Sequence, residues 1–174
     1  MLRGGLVTVL AHATGSAGPE LDLPDLEQGV FGLGRTVSAE DDAVPDEVAG
    51  KRMLVQPFMA AIAATGEYSV MLFDGVFSHA ILKTPRQGDF RVQPHLGGTE
   101  KPCSAPVGAI DLAKAALAAA PADSVYARVD MVAADDGTLR IMELELIEPA
   151  LWLQHAPDQG AAFASAVRRA IEQP

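Results

Sequence analysis

The chain has 174 residues, enough for one domain, or one plus a fragment, with a sizeable core, and too few for a multidomain machine. Apolar residues make up 49% and charged residues 21%, a globular balance rather than that of a disordered chain. Lys plus Arg number 13 against 23 Asp plus Glu, a formal charge of -10, so binding to a nucleic acid backbone or an anionic membrane is disfavoured and a small molecule or another protein is the expected partner.

Arg3 followed by the apolar Leu6 to Ala11 imitates a secretion signal, but Thr8 interrupts an already short run, and the expected location is cytoplasmic. Residues 14–50 scatter Gly, Pro and acids without a sustained period, which predicts loops around one or two short strands. From Met53 to Leu82 the charged residues are Glu67 and Asp74 alone, as the start of a buried sheet requires. Asp74-Gly75 between two apolar runs predicts a hairpin with a type I' turn. Lys83 to Pro102, punctuated by Gly and Pro, reads as a long loop, and Gly108 to Ala120 as an alanine-rich helix. A second hairpin is expected around Asp136-Gly137, with strands near Val125–Ala133 and Leu139–Ile147, and a terminal helix over Asp158–Gln173. A two-residue turn there makes Asp130 face Glu143 and Arg128 face Glu145, with Met142, Leu144 and Leu146 on the other side. The lone Cys103 excludes an internal disulfide and a thiolate zinc site.

Two constellations carry chemistry. Arg128, Asp130, Glu143 and Glu145, with Glu148 just beyond, bring acids onto one sheet face, the oxygen-rich setting that holds hard divalent cations such as magnesium. The plainer alternative is a solvated acidic face with a surface ion pair. Lys83, Arg86, Arg91 and Lys101, with Gly88, Gly97 and Gly98, suggest a flexible loop that grips an anion such as phosphate, against the alternative of a loop with chance charge bias. A metal site facing a cationic loop is what phosphoryl transfer from a nucleotide needs. His12, His79, His95 and His155 lack metal-ligand spacing, and neither a nucleophile elbow, a Walker loop nor a dinucleotide fingerprint occurs.

The ordered series Gln56-Pro57-Phe58, Gly66-Glu67-Tyr68-Ser69-Val70, Phe77-Ser78-His79-Ala80 with Lys83, Gly88-Asp89-Phe90-Arg91-Val92, Ala127-Arg128-Val129-Asp130 and Met142-Glu143-Leu144-Glu145-Leu146-Ile147-Glu148-Pro149 resembles the C-terminal, ATP-binding half of the ATP-grasp superfamily. The branch it resembles contains glutathione synthetases and ribosomal-protein glutamate ligases, and within that branch it is nearest the cycloserine-forming cyclo-ligase. The resemblance implies an α+β fold, a mostly antiparallel sheet of hairpins with packed helices, truncated relative to the full fold. It divides the chain into 1–50, a divergent or truncated remnant of the upstream subdomain, and 51–174, the ATP- and magnesium-binding subdomain.

By the same resemblance Asp130, Glu143 and Glu145 would coordinate magnesium on the ATP phosphates, and Arg128 would stabilise an acyl phosphate and a tetrahedral intermediate. Lys83 and Arg91 would meet the triphosphate, and Gln56 to Phe58 would border the adenine. Relatives often carry Asn where Glu145 stands. The implied activity is an ATP- and magnesium-dependent ligase joining a small-molecule carboxylate to an amine or similar nucleophile. The upstream lysine and glycine-rich loop have no clear counterpart, since Gly34-Arg35-Thr36-Val37-Ser38-Ala39 runs into Glu40-Asp41-Asp42. This departure keeps two alternatives open: a non-catalytic nucleotide-binding or partner-binding module, and a scaffold without ligand. A homodimer or a partner chain would supply the missing half.

Overall fold

The computed structural model describes residues 7–11, 35–37, 53–57, 59–120, 123–134 and 136–172. The chain divides into two compact units, Met1–Phe58 and Met59–Pro174. In the first, β1 (Val7–Ala11) lies between β2 (Arg35–Val37) and β3 (Met53–Pro57), all antiparallel.

The second unit is α+β. After helix α1 (Ala61–Thr65), strands β4 (Glu67–Phe73) and β5 (Val76–Thr84) form the first hairpin. Asp74 and Gly75 turn it with φ values of 51° and 70°, the positive pair that a type I' turn demands. Strand β6 (Thr99–Cys103), helix α2 (Ala109–Ala118), the hairpin β7 (Tyr126–Ala133) and β8 (Leu139–Glu145), and helix α3 (Ala161–Glu172) follow. The sheet is antiparallel throughout, in the order β6-β5-β4-β7-β8.

Alternation along the strands sorts the sheet into two faces. Val70, Leu72, Ala127, Val129 and Met131 pack against Ala109 and Ala113 of α2. Their neighbours in sequence point the other way. There Met71, Phe73 and Ile81 pack with Phe163 and Ala166 of α3, while Val132 packs with Ile62 and Val92 beside α1. Fully buried side chains such as Met71, Leu72 and Ile81 contribute about 1.5–3 kcal/mol each through lost apolar exposure. Between the α3 and α1 clusters the same face carries charged residues instead.

Three expectations are corrected. Lys83–Pro102 is not one loop: β5 runs through Lys83 to Thr84, and Thr99–Cys103 adds an edge strand beside it. Lys83 is thereby fixed on the sheet. Helix α1 lies within the stretch whose composition suits a buried sheet; its alanines favour helix, and Gly66, with φ 83°, ends it. Gly66 has no room for a side chain, since a Cβ there would stand 2.3 Å from the Lys83 carbonyl oxygen.

The third correction concerns the second hairpin. Ala133 pairs with Leu139 and the Ala134 N–H donates to the Thr138 carbonyl, so the tip holds one residue more than a two-residue turn. A bulge between Asp130 and Met131 in the β7 register then absorbs the difference at Met142, restoring Asp130 opposite Glu143 and Arg128 opposite Glu145. The same bulge sends Met142 to the Val132 cluster, whereas Leu144 and Leu146 pack on the α2 side.

Candidate metal and nucleotide site

Two rungs of the sheet build the site. Ser69, Asp130 and Glu143 pair in one row across β4, β7 and β8, and Met71, Arg128 and Glu145 in the next. Ligand oxygens of Asp130, Glu143 and Glu145 all lie within 4.8 Å of one another. Glu148, just past β8 with φ 54°, is exposed and outside that group.

The Arg128 guanidinium sits among them. Its Nε–H donates to Asp130 Oδ1 at 3.1 Å and its Nη2 to Asp130 Oδ2 at 2.9 Å. Nη2 also bonds Glu145 and lies 3.6 Å from Glu143. From the far side Lys83 Nζ donates to Asp130 Oδ2 at 2.8 Å and pairs with Glu67. Asp130 is completely buried, so these two cations are what allow it to remain charged.

Burial opposes ionisation of Asp130, yet Lys83 and Arg128 outweigh it and hold the carboxyl below its usual range. The Ser69 hydroxyl, buried beside it, makes no hydrogen bond of regular geometry but still favours the charged form. Burial likewise works against the Lys83 ammonium, and the Asp130 and Glu67 charges more than offset it, raising its pKa. Glu67 is pushed up by burial despite Lys83. Glu143 is pushed up to about 7 by its enclosure and then by the Glu145 and Asp130 charges; with 47% of its side chain open to solvent, water moderates that cost.

Four carboxylates therefore meet two cations, leaving two negative charges in excess when all are ionised. This is the charge of one divalent ion. All donors are hard oxygens, and two ligands on one magnesium at about 2.1 Å can stand up to about 4.2 Å apart, so small rotamer changes suffice to close the group on an ion. The donor set fits magnesium or calcium and excludes a soft-metal site.

The remaining expected residues have other partners. Arg91 donates through Nε and Nη2 to Asp89, at 3.0 and 2.8 Å, on an exposed loop, and Arg86 lies 3.6 Å from the same carboxylate. Phe90 and Val92 anchor that loop in the α1 cluster. Gln56 belongs to β3 of the first unit, paired with Thr8; Phe58 lies outside the described residues. Three residues were not anticipated from sequence. Glu67 is the sheet partner of Lys83, a pairing that the first hairpin's register could have revealed. Trp152 holds Arg128 5.5 Å from its ring centroid, and Glu100 accepts the Trp152 Nε1–H at 2.8 Å; both contacts join segments distant in sequence and leave no local signal.

Comparison with known proteins bears on the fold. No family model matches the chain. The cycloserine biosynthesis protein DcsG of Streptomyces lavendulae is 32% identical over 130 residues, covering 71% of this chain and 44% of that protein. The crystal structure of D-cycloserine synthetase DcsG superimposes with a TM-score of 0.59 at 31% identity, over 70% of this chain and 43% of the other. D-alanine–D-alanine ligase from Bacillus anthracis, complexed with ATP, gives a TM-score of 0.61 at 17% identity over 96% of this chain and 51% of its own. The ATP-grasp ligase PsnB, with Mg and ADP, gives 0.55 at 16% identity over 95% and 47%. The last two likenesses concern the fold. The chain is similar to DcsG in sequence and structure, and it shares its fold with ATP-grasp ligases. It spans less than half the length of that curated relative.

Proposed function

We propose that this chain is the metal-bearing, ATP-binding half of an ATP- and magnesium-dependent ligase that activates a small-molecule carboxylate as an acyl phosphate for attack by an amine or similar nucleophile. The observation that carries this reading is the closeness of the Asp130, Glu143 and Glu145 oxygens, within 4.8 Å of one another, with the Arg128 guanidinium among them. Bound magnesium would neutralise phosphate charge; Asp130, Glu143 and Glu145 would hold it. Arg128, reaching all three carboxylates, would turn part of its charge toward a developing oxyanion once the metal takes over those acids. Lys83 keeps Asp130 ionised and ready to ligate. Arg91 would reach phosphate by exchanging Asp89 for it, and Gln56 and Phe58 would border the adenine. The reading places the reaction in the cytoplasm, with a second copy or partner chain supplying the acceptor pocket.

One observation favours a second reading, a non-catalytic nucleotide-binding or partner-binding module: Lys83 and Arg128 already satisfy Asp130 without any ligand. Phosphate release from ATP, measured across a panel of amino acids with magnesium or chelator, separates the two. Magnesium-dependent release that rises with one acceptor supports the ligase. Magnesium-dependent ATP binding with no release under any acceptor supports the module.

A further inference from the structure

We propose that Trp152 is the positioning residue that holds the Arg128 guanidinium against the three carboxylates. Its backbone is in the left-handed region, with φ 43° and ψ 46°, a conformation costing a bulky side chain about 1–3 kcal/mol and found where the surroundings enforce it. The surroundings here are identifiable. The Leu151 carbonyl can only accept, so the His79 Nε2 at 2.9 Å carries the proton and donates to it. One residue later the Trp152 Nε1–H donates to Glu100 on the edge strand β6. Two side chains from adjacent strands thus pin a segment that crosses the charged face.

The pinned ring has two contacts of different kinds. One is with the apolar cluster of Met71, Phe73 and Ile81 under α3. The other is with Arg128, 5.5 Å from the centroid, within the range of a cation–π attraction. Asp130, Glu143 and Glu145 pull the guanidinium from the β7 and β8 side. The ring adds a contact to the same guanidinium. Trp152 does not reach the carboxylate oxygens itself; it acts through Arg128. The placement stands on the geometry alone, and its consequence for transition-state charge rests on the ligase reading above.

The test reads Arg128 without any nucleotide. In the whole 174-residue chain, the Arg128 Nε–H resonance is assigned by NMR and its exchange with solvent is compared among variants. Trp152→Leu is expected to speed that exchange about five- to tenfold, matching the loss of one cation–π contact, and Trp152→Phe, which keeps a ring, to stay within about twofold of wild type. Glu100→Ala frees the indole without emptying the apolar cluster and is expected to speed exchange in the same direction, so it decides the matter if Trp152→Leu does not fold. Unchanged exchange in folded Trp152→Leu, or in Glu100→Ala where that variant must decide, overturns the proposal. A magnesium–ATP titration of wild type, run separately, judges the ligase reading; its failure would leave the exchange result standing.

Discussion

Lys83 and Asp130, separated by 47 positions in sequence, meet as a buried ion pair with the ammonium 2.8 Å from the carboxylate. Lys83 stands on β5 opposite Glu67, and Asp130 on β7 opposite Ser69, so strand β4 runs between them and the lysine spans it. The pair is the reason a charged cluster can exist on an otherwise packed sheet face. Replacing Lys83 strands Glu67 and leaves Asp130 with Arg128 alone.

Lys83→Met therefore leaves Asp130 and Glu67 without their shared cation in a buried setting. Breaking a buried pair on one side costs about 3–5 kcal/mol, and Lys83→Met is expected to lose stability of that order by urea denaturation with an unchanged slope. A loss near zero would mean that Lys83 does not act as the counter-ion for Asp130.

The pH dependence follows from Glu143, raised from 4.5 to about 7 in the folded chain. A carboxyl with a raised folded pKa binds its proton more tightly when folded. Its favourable contribution is complete below the unfolded value and is lost as pH rises through the folded one. Wild-type stability relative to Glu143→Gln should therefore fall between about pH 4.5 and 7 and level off above. Melting curves of the two proteins across that range check it, and parallel curves would contradict the shift. Magnesium should raise the wild-type melting temperature more at pH 8 than at pH 5.5, because protons compete for the same oxygen.

Deletion of Met142 removes the bulged residue that restores the register of β7 and β8. Side chains alternate with period two, so removing Met142 makes Ile141 and Glu143 successive and leaves Glu143 opposite Asp130 and Glu145 opposite Arg128 in an unbroken ladder. The expected result is a folded chain that keeps a magnesium-dependent melting shift close to that of wild type. Met142→Ala, which keeps the count, retains that shift while losing packing on Val132 and Ile62. Loss of the magnesium response in a folded deletion variant would contradict this register.

Gly66→Ala is expected to destabilise the chain by about 1–3 kcal/mol, the range for forcing atoms into a packed site. A Cβ would press on the Lys83 carbonyl at 2.3 Å, and Gly66 also has φ 83°. Thermal or chemical denaturation measures it, and a neutral substitution would contradict the close approach of α1 to β5.

Much of this arrangement is legible in the sequence where the governing forces are local. Asp74-Gly75 specifies its turn by backbone preference, and the alanine run at Ala109–Ala118 specifies its helix. The pairings Asp130–Glu143 and Arg128–Glu145 follow from strand alternation, although they survive because an extra turn residue and a bulge cancel. What escaped is non-local. Thr99–Cys103, with Lys101 and Pro102, has no strand propensity of its own and pairs because β5 offers an edge. Lys83 reads as a loop cation beside Thr84-Pro85, whereas tertiary contact with Asp130 draws it into the sheet. Trp152 reaches Arg128 only because the chain between β8 and α3 crosses the face.

Isothermal titration of the protein with ATP, with and without magnesium, in parallel with Asp130→Asn and Glu143→Gln, tests the central claim most directly. Wild type is expected to bind ATP saturably and only with magnesium, and both variants to lose that requirement together with most of the affinity. Magnesium-independent binding of equal strength in all three proteins, or no binding by a folded wild-type chain, would contradict it.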